Sequence, residues 1–356
     1  MDLQQFDWSE AFAPHFTPYA AQGYQVGRIV AQYRDRHTLW TAQGEFTAEL
    51  SGKFRHQATD SLDFPTIGDW AVVTLRENEQ TATIHHLLPR KSLFSRQAAG
   101  SETGAQAIAA NIDTVFLVSG LDHDFNLRRI ERYLTLTWES GATPVILLNK
   151  ADQCDRPEER EAEVMAIAPG VPLLTLSAAL NQGLDALTPY LQPGKTIALI
   201  GSSGVGKSTL TNQLMGTAVQ ATQAVRADDS RGRHTTSHRQ LFVLPSGSLL
   251  LDTPGLREIQ LWGTEARLQE TFGDIEQWAE ACRFRDCHHE QEPGCAVQAA
   301  IAAGQLDPDR LRSYQKLQKE LAHLAERQEG RSQINTKKRW KAISQEIRRQ
   351  NQHKRR

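Results

Sequence analysis

The sequence contains no long apolar run, and none of its stretches approaches the roughly 18 consecutive apolar residues that a membrane-spanning helix needs. The first residues, Met1 to Gln5, lack the basic head of a secretory signal peptide. A hydrophobic content of 39% and a charged content of 23% are typical of a globular protein with a sizeable core. We therefore expect no membrane partner and a cytoplasmic protein, and a chain of 356 residues suggests about two or three domains.

Cysteine is scarce, with four residues in the chain. Cys154 stands alone and is expected to be an ordinary thiol. The other three crowd together around two histidines, in the order Cys282, Cys287, His288, His289 and Cys295. In a cytoplasmic protein such a cluster favours a metal site over disulfides.

A tetrahedral zinc site fits this cluster. It would take the ligands Cys282, Cys287, His289 and Cys295. Because all four ligands would come from the protein, the zinc is predicted to be structural rather than catalytic. The spacing alone does not separate His289 from His288, which could take its place.

Net charge is close to zero, at -2, but it is unevenly distributed. Residues 331–356 carry ten lysines and arginines against a single acid, Glu346. Such a basic tail can be a solvated segment or an arm that meets a phosphate backbone, and composition favours neither.

Five short alternating stretches near the start predict β-strands, at 23–30, 39–42, 46–50, 69–75 and 81–88. Turn residues separate them, and five strands at this spacing suggest a small closed barrel. An OB-type barrel is favoured, with an SH3-like barrel as the alternative. The polar stretch 90–104 is interpreted as a linker, so the barrel with its N-terminal extension and linker would occupy 1–104.

From Ile112 onward, apolar strands alternate with amphipathic helices. The predicted strands are 114–118, 144–148, 171–176, 195–200 and 248–252, and the clearest helix is 126–140. This alternation predicts a doubly wound, largely parallel α/β domain at 105–262, with ligands at the carboxyl ends of its strands. A helical zinc-binding domain would follow at 263–330, including a polar helix at 309–328, and the basic tail at 331–356 would end the chain.

A phosphate-binding loop is predicted between a strand and a helix, where the pattern G-x-x-x-x-G-K-[ST] occurs. The predicted nucleotide contacts there are Gly201, Ser202, Ser203, Gly204, Val205, Gly206, Lys207, Ser208 and Thr209. Glycines let backbone N–H groups turn onto the β-phosphate at the positive end of a helix. Lys207 is expected to reach the β- and γ-phosphates, and Ser208 to take one Mg²⁺ position.

A guanine-reading motif follows the strand at 144–148. The Asp152 carboxylate can accept from guanine N1–H and the 2-amino group, donors that adenine lacks, which argues against a P-loop ATPase. Asn149 can meet the other edge of the base, and the stem of Lys150 can cover the ring. Ser177-Ala178, after a further strand, offers a backbone N–H to guanine O6.

Two further motifs lie downstream of the phosphate loop. In Asp252-Thr253-Pro254-Gly255, Asp252 can hold Mg²⁺ through its water shell and the Gly255 N–H can sense the γ-phosphate. Residues 231–238, between the phosphate loop and Asp252, form the predicted switch. Thr236 is the preferred Mg²⁺ ligand there, and Thr235 is the alternative.

The residue that usually orients the attacking water is absent. Leu256 follows Gly255, where Ras-like enzymes have glutamine. His234 in the switch is therefore the candidate for that role, beside Lys207 and Gly255 as catalytic groups. We expect slow hydrolysis without a partner.

The order of the motifs is rotated, because the guanine motif precedes the phosphate loop. Such a rotation is harmless if the old termini are joined, and residues 181–194 would be that join. The segment after Gly255 would then lead directly into the Cys/His region, which suggests that nucleotide state moves that region.

Together these motifs resemble the RsgA family of permuted, ribosome-dependent GTPases, as does the stretch Phe125-Asn126-Leu127-Arg128-Arg129-Ile130-Glu131-Arg132-Tyr133-Leu134. The resemblance implies an OB barrel, a central GTPase and a C-terminal zinc domain. It implies GTP/GDP, Mg²⁺ and one structural zinc, held by Cys282, Cys287, His289 and Cys295. It also implies a role for His234 in catalysis.

The same resemblance implies a role in late maturation of the small ribosomal subunit, whose binding would stimulate hydrolysis. The expected partners are that subunit and its rRNA, and the chain is expected to be a monomer. The alternative is an RNA-binding assembly chaperone in which GTP only switches affinity.

Overall fold

The computed structural model describes residues 2–33, 36–97, 105–216, 239–252, 268, 271–290, 292–319 and 322. The chain divides into two units, Met1–Gln260 and Leu261–Arg356. Among the described residues, no helix combines the length and the apolar character needed to span a bilayer.

The first five strands form the predicted barrel. They are β1 (Gln25–Gln32), β2 (His37–Thr41), β3 (Gly44–Leu50), β4 (Trp70–Arg76) and β5 (Thr81–Leu87). Their order is β1-β2-β3-β5-β4, and β4 pairs back onto β1 to close the sheet. The pairing of β3 with β5 is parallel and the others are antiparallel. This five-stranded Greek-key arrangement confirms the OB-like expectation.

Alternating apolar side chains fill the barrel. Its core includes Ile29, Leu39, Phe46, Val73 and Ile84. Short helices surround the strands: α1 (Ala13–Ala20), α2 (Gly52–Gln57) and the 3₁₀ turns Leu3–Phe6, Ser61–Asp63 and Glu77–Glu79.

The linker predicted at 90–104 contains a strand in its described part. Strand β6 (Leu93–Gln97) pairs antiparallel with β7 (Ala105–Ala110) in a separate two-stranded sheet. Phe94 is buried opposite Ala109. The sequence hides this pair because β7 is built largely from alanine, whose small side chain gives a weak strand signal.

The other six strands of the large sheet form the predicted α/β layer. Its strands are β8 (Thr114–Gly120), β9 (Thr143–Asn149), β10 (Leu173–Thr175), β11 (Thr196–Ile200), β12 (Arg239–Val243) and β13 (Leu249–Asp252), in the order β10-β9-β8-β11-β13-β12. All neighbours are parallel except β12, which runs antiparallel to β13. Strand β12 also pairs with β1, so barrel and sheet are continuous.

Helices follow the strands of this sheet: α3 (Leu127–Ser140), α4 (Pro157–Ile167), a 3₁₀ helix at Leu184–Tyr190 and α5 (Lys207–Met215). Helix α3 begins where the Asn126 side chain accepts from the backbone N–H of Arg129 at 3.0 Å. It ends at Gly141 in the left-handed conformation. Between these caps, Ile130 and Leu134 are buried, as the helical spacing predicts.

A buried arginine connects the barrel to the α/β sheet. The Arg28 guanidinium lies 3.2 Å from Asp7 Oδ2 and donates to Thr196 Oγ1 at 2.8 Å and to the Asn111 carbonyl at 3.1 Å. Thr196 begins β11, the strand that leads into the phosphate loop. The barrel is therefore bonded to the base of the strand that carries this loop.

The unit Leu261–Arg356 is helical in its described part. It contains α6 (Gly273–Glu280), α7 (Ala296–Ala302) and a helical segment at 308–319, which falls largely within the polar helix predicted at 309–328. The Arg310 guanidinium pairs with the Asp274 carboxylate at 2.7 Å and so joins the last segment to α6.

Candidate functional site

The phosphate loop begins directly after β11. Gly201 is buried so closely that an added Cβ would lie 2.3 Å from the Val118 carbonyl oxygen on the neighbouring strand. The Lys207 ammonium is buried and donates to the carbonyl oxygens of Gly201, at 2.7 Å, and Ser202. The loop thus curls around the amino group that is predicted to meet the phosphates.

Asn149 joins three of the predicted motifs. Its side-chain N–H donates to the Val205 carbonyl in the phosphate loop at 2.8 Å. Its Oδ1 accepts from the Ala178 N–H at 2.9 Å. A Cβ on Gly206 would lie 2.2 Å from Asn149 Nδ2, and Gly206 also has a φ of +98°. Glycine is thus required here by both space and backbone conformation.

The remaining guanine-motif residues lie beside it. The Ser177 hydroxyl donates to Asp152 Oδ1 at 2.5 Å. Lys150 has a left-handed backbone, with φ of +65°, and its ammonium lies 2.6 Å from Asp122 Oδ2. The structure therefore brings the guanine motif, Ser177-Ala178 and the phosphate loop to one edge of the sheet.

Sequence reasoning missed a group of residues on the connection from β8 to α3. Asp124 Oδ2 accepts from Arg129 at 2.6 Å and from the Ser202 hydroxyl, and Arg129 also donates to Ser202 Oγ at 2.8 Å. A signal was present, because Asp122 and Asp124 directly follow an apolar strand, at the edge where ligands bind in such sheets.

Both carboxylates are held in the ionised form. Burial raises the pKa of Asp122, but hydrogen bonds from Lys150 and from the Asp124 N–H outweigh it and leave the pKa below its usual range. Burial likewise raises the pKa of Asp124, and hydrogen bonds from Arg129 and Ser202 bring it below its usual range. The Asp124 carboxylate in turn raises the pKa of Arg129.

Several predicted site residues lie outside the described residues. They are His234, Thr235, Thr236, Gly255, Leu256 and the basic tail. Asp252 ends β13, which runs parallel to β11, so its backbone lies at the same edge of the sheet as the phosphate loop. Ser208 and Thr209 lie in the first turn of α5.

A second candidate site lies in the unit Leu261–Arg356. The ligand atoms of Cys282, Cys287, His289 and Cys295 all lie within 4.8 Å of one another. His289 is buried in this cluster with φ of +59°, whereas His288 is exposed. The structure thus gathers the predicted set and leaves the alternative histidine outside it.

The spacing of these atoms fits zinc. Zn–S and Zn–N bonds of about 2.3 and 2.0 Å predict separations of about 3.8 Å between two sulfurs and 3.5 Å between sulfur and nitrogen in a tetrahedron. Cys282 Sγ and Cys295 Sγ lie 3.9 Å apart. His289 Nδ1 lies 3.7 and 3.6 Å from those two sulfurs.

The sequence is similar to those of known GTPases. Residues 87–262 match the family described as RsgA GTPase, and residues 196–337 match that described as 50S ribosome-binding GTPase. A protein of Opitutus terrae named small ribosomal subunit biogenesis GTPase RsgA is 45% identical over 97% of this chain and 96% of its own length. A protein of the same name from Syntrophotalea carbinolica is 43% identical, over 96% of each chain.

Two solved structures have a fold similar to that of this chain. The crystal structure of YjeQ from Thermotoga maritima aligns with a TM-score of 0.61 and 28% identity, over 84% of this chain and 99% of that one. A structure described as YloQ, a circularly permuted GTPase, aligns with a TM-score of 0.59 and shares the fold.

Proposed function

This chain belongs to the RsgA GTPase family and is a GTP-hydrolysing enzyme with permuted motifs, and from that premise we propose that it acts in late maturation of the small ribosomal subunit. We further propose that binding of that subunit and its rRNA stimulates hydrolysis, and that the chain acts as a monomer. The observation that supports a single guanine-nucleotide site is the contact of Asn149 with both Val205 and Ala178, which brings together motifs that lie in rotated order along the chain.

In the proposed site, each end of GTP meets a different set of side chains. Asp152 would accept from the guanine N1–H and 2-amino groups, and a backbone N–H of Ser177-Ala178 would donate to O6. The phosphate-loop amides and Lys207 would bind the β- and γ-phosphates. Adenine would leave the Asp152 carboxylate unpaired, so ATP is expected to bind poorly.

We propose that magnesium binds oxygen donors near the phosphate loop. Ser208 in the first turn of α5, Asp252 at the end of β13 and Thr236 in the switch would hold it, directly or through water. A bound Mg²⁺ would neutralise the phosphate charge that develops during transfer. His234 would orient the attacking water, because Leu256 has no polar group for that purpose.

The absence of a water-positioning glutamine at Leu256 supports hydrolysis that depends on a partner. An enzyme whose water-positioning group is a switch histidine needs that switch to be ordered, and binding to a large partner can supply the ordering. The small subunit enters the proposal through the printed names of the relatives. The OB-like barrel and the basic tail, with ten basic residues in 331–356, add surfaces suited to rRNA.

The decisive experiment measures GTP turnover with no ribosomal particle, with purified small subunits and with purified large subunits. We expect stimulation of at least about tenfold by the small subunit alone and its loss in His234→Ala, on the scale that positioning groups contribute. The large subunit is the matched control, because one matching family is described as 50S ribosome-binding.

Other outcomes of this experiment assign other functions. GTP-dependent binding to small subunits without any change in turnover would favour the alternative, an RNA-binding assembly chaperone in which GTP only switches affinity. Stimulation by the large subunit alone would contradict the proposed partner.

We also propose that the Cys282, Cys287, His289 and Cys295 cluster holds one structural Zn²⁺. The segment from Gly255 into the zinc-binding unit would carry the nucleotide state to it, as the rotated motif order suggests. Hydrogen exchange in that unit should then differ between a GTP analogue and GDP, and identical exchange would contradict the coupling.

A further inference from the structure

The loop that joins β8 to α3, residues 121–126, lies between the guanine motif and the phosphate loop. Its first residue is tied to the guanine motif, because the Leu121 N–H donates to the Asn149 carbonyl at 2.8 Å. Its last residue, Asn126, caps α3. Within the loop, the Asp122 carboxylate accepts from the Asp124 N–H at 3.1 Å. The loop is therefore fixed at both ends and braced in the middle.

Asp122 holds the base-covering lysine. Its Oδ2 lies 2.6 Å from Lys150 Nζ, and only 10% of its side chain is exposed. The Lys150 ammonium would otherwise be free to rotate on four methylenes, since a lysine side chain has high conformational entropy. With its head fixed on Asp122, the stem of Lys150 is held in one orientation at the predicted guanine site.

Asp124 holds the phosphate loop. The Ser202 hydroxyl donates to Asp124 Oδ2, and Arg129 donates to both of them, at 2.8 Å to Ser202 Oγ and 2.6 Å to Asp124 Oδ2. The carbonyl of the same Ser202 accepts from Lys207. The side chain of Ser202 is thus tied to the loop at 121–126 while its backbone bonds the lysine that is predicted to meet the phosphates.

We propose that Asp122 and Asp124 are positioning residues of the GTP site, one acting on the base through Lys150 and the other on the phosphates through Ser202. Because they are separated by one residue on a braced loop, they set the distance between the guanine motif and the phosphate loop. This inference rests on the assignment of the chain as a GTP-binding enzyme and is independent of any ribosomal partner.

The action of Asp122 is tested by the affinity for GDP and for a slowly hydrolysed GTP analogue. Asp122→Asn keeps the size of the side chain and removes the charge that fixes Lys150. We expect the Kd of both nucleotides to rise by the same factor, about tenfold, on the scale of a charge-assisted hydrogen bond. In a Lys150→Met background the same substitution should change Kd less than about twofold.

If Asp122→Asn raised the nucleotide Kd by the same factor with Lys150 and with Lys150→Met, Asp122 would not act through Lys150. An unchanged Kd in Asp122→Asn would also overturn the proposal. Asp122→Glu keeps the charge and moves the carboxylate by one methylene, so it tests the same contact if Asp122→Asn does not fold. An affinity for Asp122→Glu equal to that of the unsubstituted protein would also count against the proposal.

The action of Asp124 is tested by the rate of the chemical step. In single-turnover hydrolysis of GTP, Asp124→Asn is expected to lower the rate constant about fivefold, because a loosened Ser202 lets the loop that carries Lys207 shift. The same substitution in a Ser202→Ala background should have less than about a twofold effect. Independent effects of the two substitutions would overturn the connection.

Asp113→Asn is the matched control. Asp113 precedes β8, at the end opposite to the loop, and pairs with Lys91 at 2.8 Å. It should lower thermal stability without changing nucleotide affinity by more than about twofold. A loss of affinity equal to that of Asp122→Asn would mean that any weakened strand end disturbs the site, which would overturn the proposal.

These measurements need no ribosomal particle. A protein that fails to respond to small subunits but shows the two non-additive pairs would sink the proposed partner and leave this inference standing. Stimulation by small subunits together with additive substitutions would support the proposed partner and overturn this inference.

Discussion

Asn149 Nδ2 lies 2.8 Å from the carbonyl oxygen of Val205, so the guanine motif is bonded directly to a phosphate loop that follows it by 56 residues. The same nitrogen would lie 2.2 Å from a Cβ on Gly206. The order of the motifs along the chain is rotated, but this contact still joins them. Gly206 therefore does more than give the phosphate loop flexibility, because its missing side chain makes room for Asn149.

Gly206→Ala is therefore expected to displace Asn149 and to abolish GDP binding, with a rise in Kd of at least about a hundredfold. The added methyl meets an amide that is held by two hydrogen bonds, and the φ of +98° adds backbone strain of roughly 1 kcal/mol. Binding of a fluorescent GDP derivative measures the loss.

Gly170→Ala is the control for this prediction. Gly170 also has a positive φ, of +78°, but an added Cβ there meets nothing within 4 Å. It should cost some stability and leave GDP affinity unchanged. Comparable losses of GDP binding in both variants would show that global destabilisation, and not the contact with Asn149, is responsible.

Asp152→Asn is expected to change base specificity rather than only weaken binding. An amide at this position can donate to the 2-carbonyl of xanthine but no longer accepts from both guanine donors. We expect GTP turnover to fall at least about a hundredfold and XTP turnover to appear. Steady-state hydrolysis of GTP, XTP and ATP measures the change, and ATP should remain a poor substrate for both proteins. Efficient ATP hydrolysis by the unsubstituted protein would contradict the guanine assignment.

Much of this site could be predicted from the sequence because nucleotide chemistry requires particular residue types at short spacings. Asn149, Lys150 and Lys207 were found in this way. The contact of Asp122 with Lys150 spans 28 residues, and that of Asp124 with Ser202 spans 78. Such contacts depend on which strands become neighbours in the fold, and the local pattern of the sequence does not show this.

The same distinction holds for the fold. The five barrel strands were predicted from short alternating stretches set between turn residues. In the structure β2 and β3 alternate in burial, whereas β1 is buried along most of its length. Strand β12 was missed because it begins with the polar residues Arg239 and Gln240, and because its pairing with Ala31 of the barrel is non-local. The hairpin of β6 and β7 was missed for a related reason, since it is stabilised by burial of Phe94 rather than by a strong local pattern.

The zinc cluster predicts one Zn²⁺ per chain. Cys295→Ser is a sharp test because Cys295 also caps α7, where its sulfur accepts from the Gln298 N–H at 3.4 Å. Serine is a good N-cap but a poor zinc ligand, so the substitution removes the metal while keeping the cap. We expect loss of bound zinc, measured by elemental analysis, and a loss of helical signal on the scale that structural zinc sites show.

Two variants serve as controls for zinc. Cys154→Ser removes the cysteine outside the cluster, and His288→Ala removes the exposed neighbour of His289. Both should retain one zinc per chain, whereas His289→Ala should lose it. Retention of zinc by His289→Ala together with loss by His288→Ala would reverse the ligand assignment.

Acid should destabilise the barrel through His37. This histidine is buried on β2, and its Nδ1 has no hydrogen-bond partner in the part of the chain that the structure describes. Burial lowers its pKa from 6.5 to about 4. In the unfolded chain the imidazole takes up a proton below its ordinary pKa, whereas in the folded chain it stays neutral until about pH 4. Falling pH therefore favours unfolding between these two values, and stability rises with pH across the same window.

The loss of unfolding free energy attributable to His37 should be about 1 kcal/mol between about pH 7 and pH 5.5. Denaturant unfolding of the protein and of His37→Leu at both pH values measures it, because the leucine variant cannot take up the proton. The difference between the two pH values should be smaller by this amount in His37→Leu. His56→Gln, which replaces an exposed histidine on α2, should keep the full pH dependence. An equal pH dependence in His37→Leu and the unsubstituted protein would mean that His37 is protonated in the folded barrel, and its burial would then need a counter-charge.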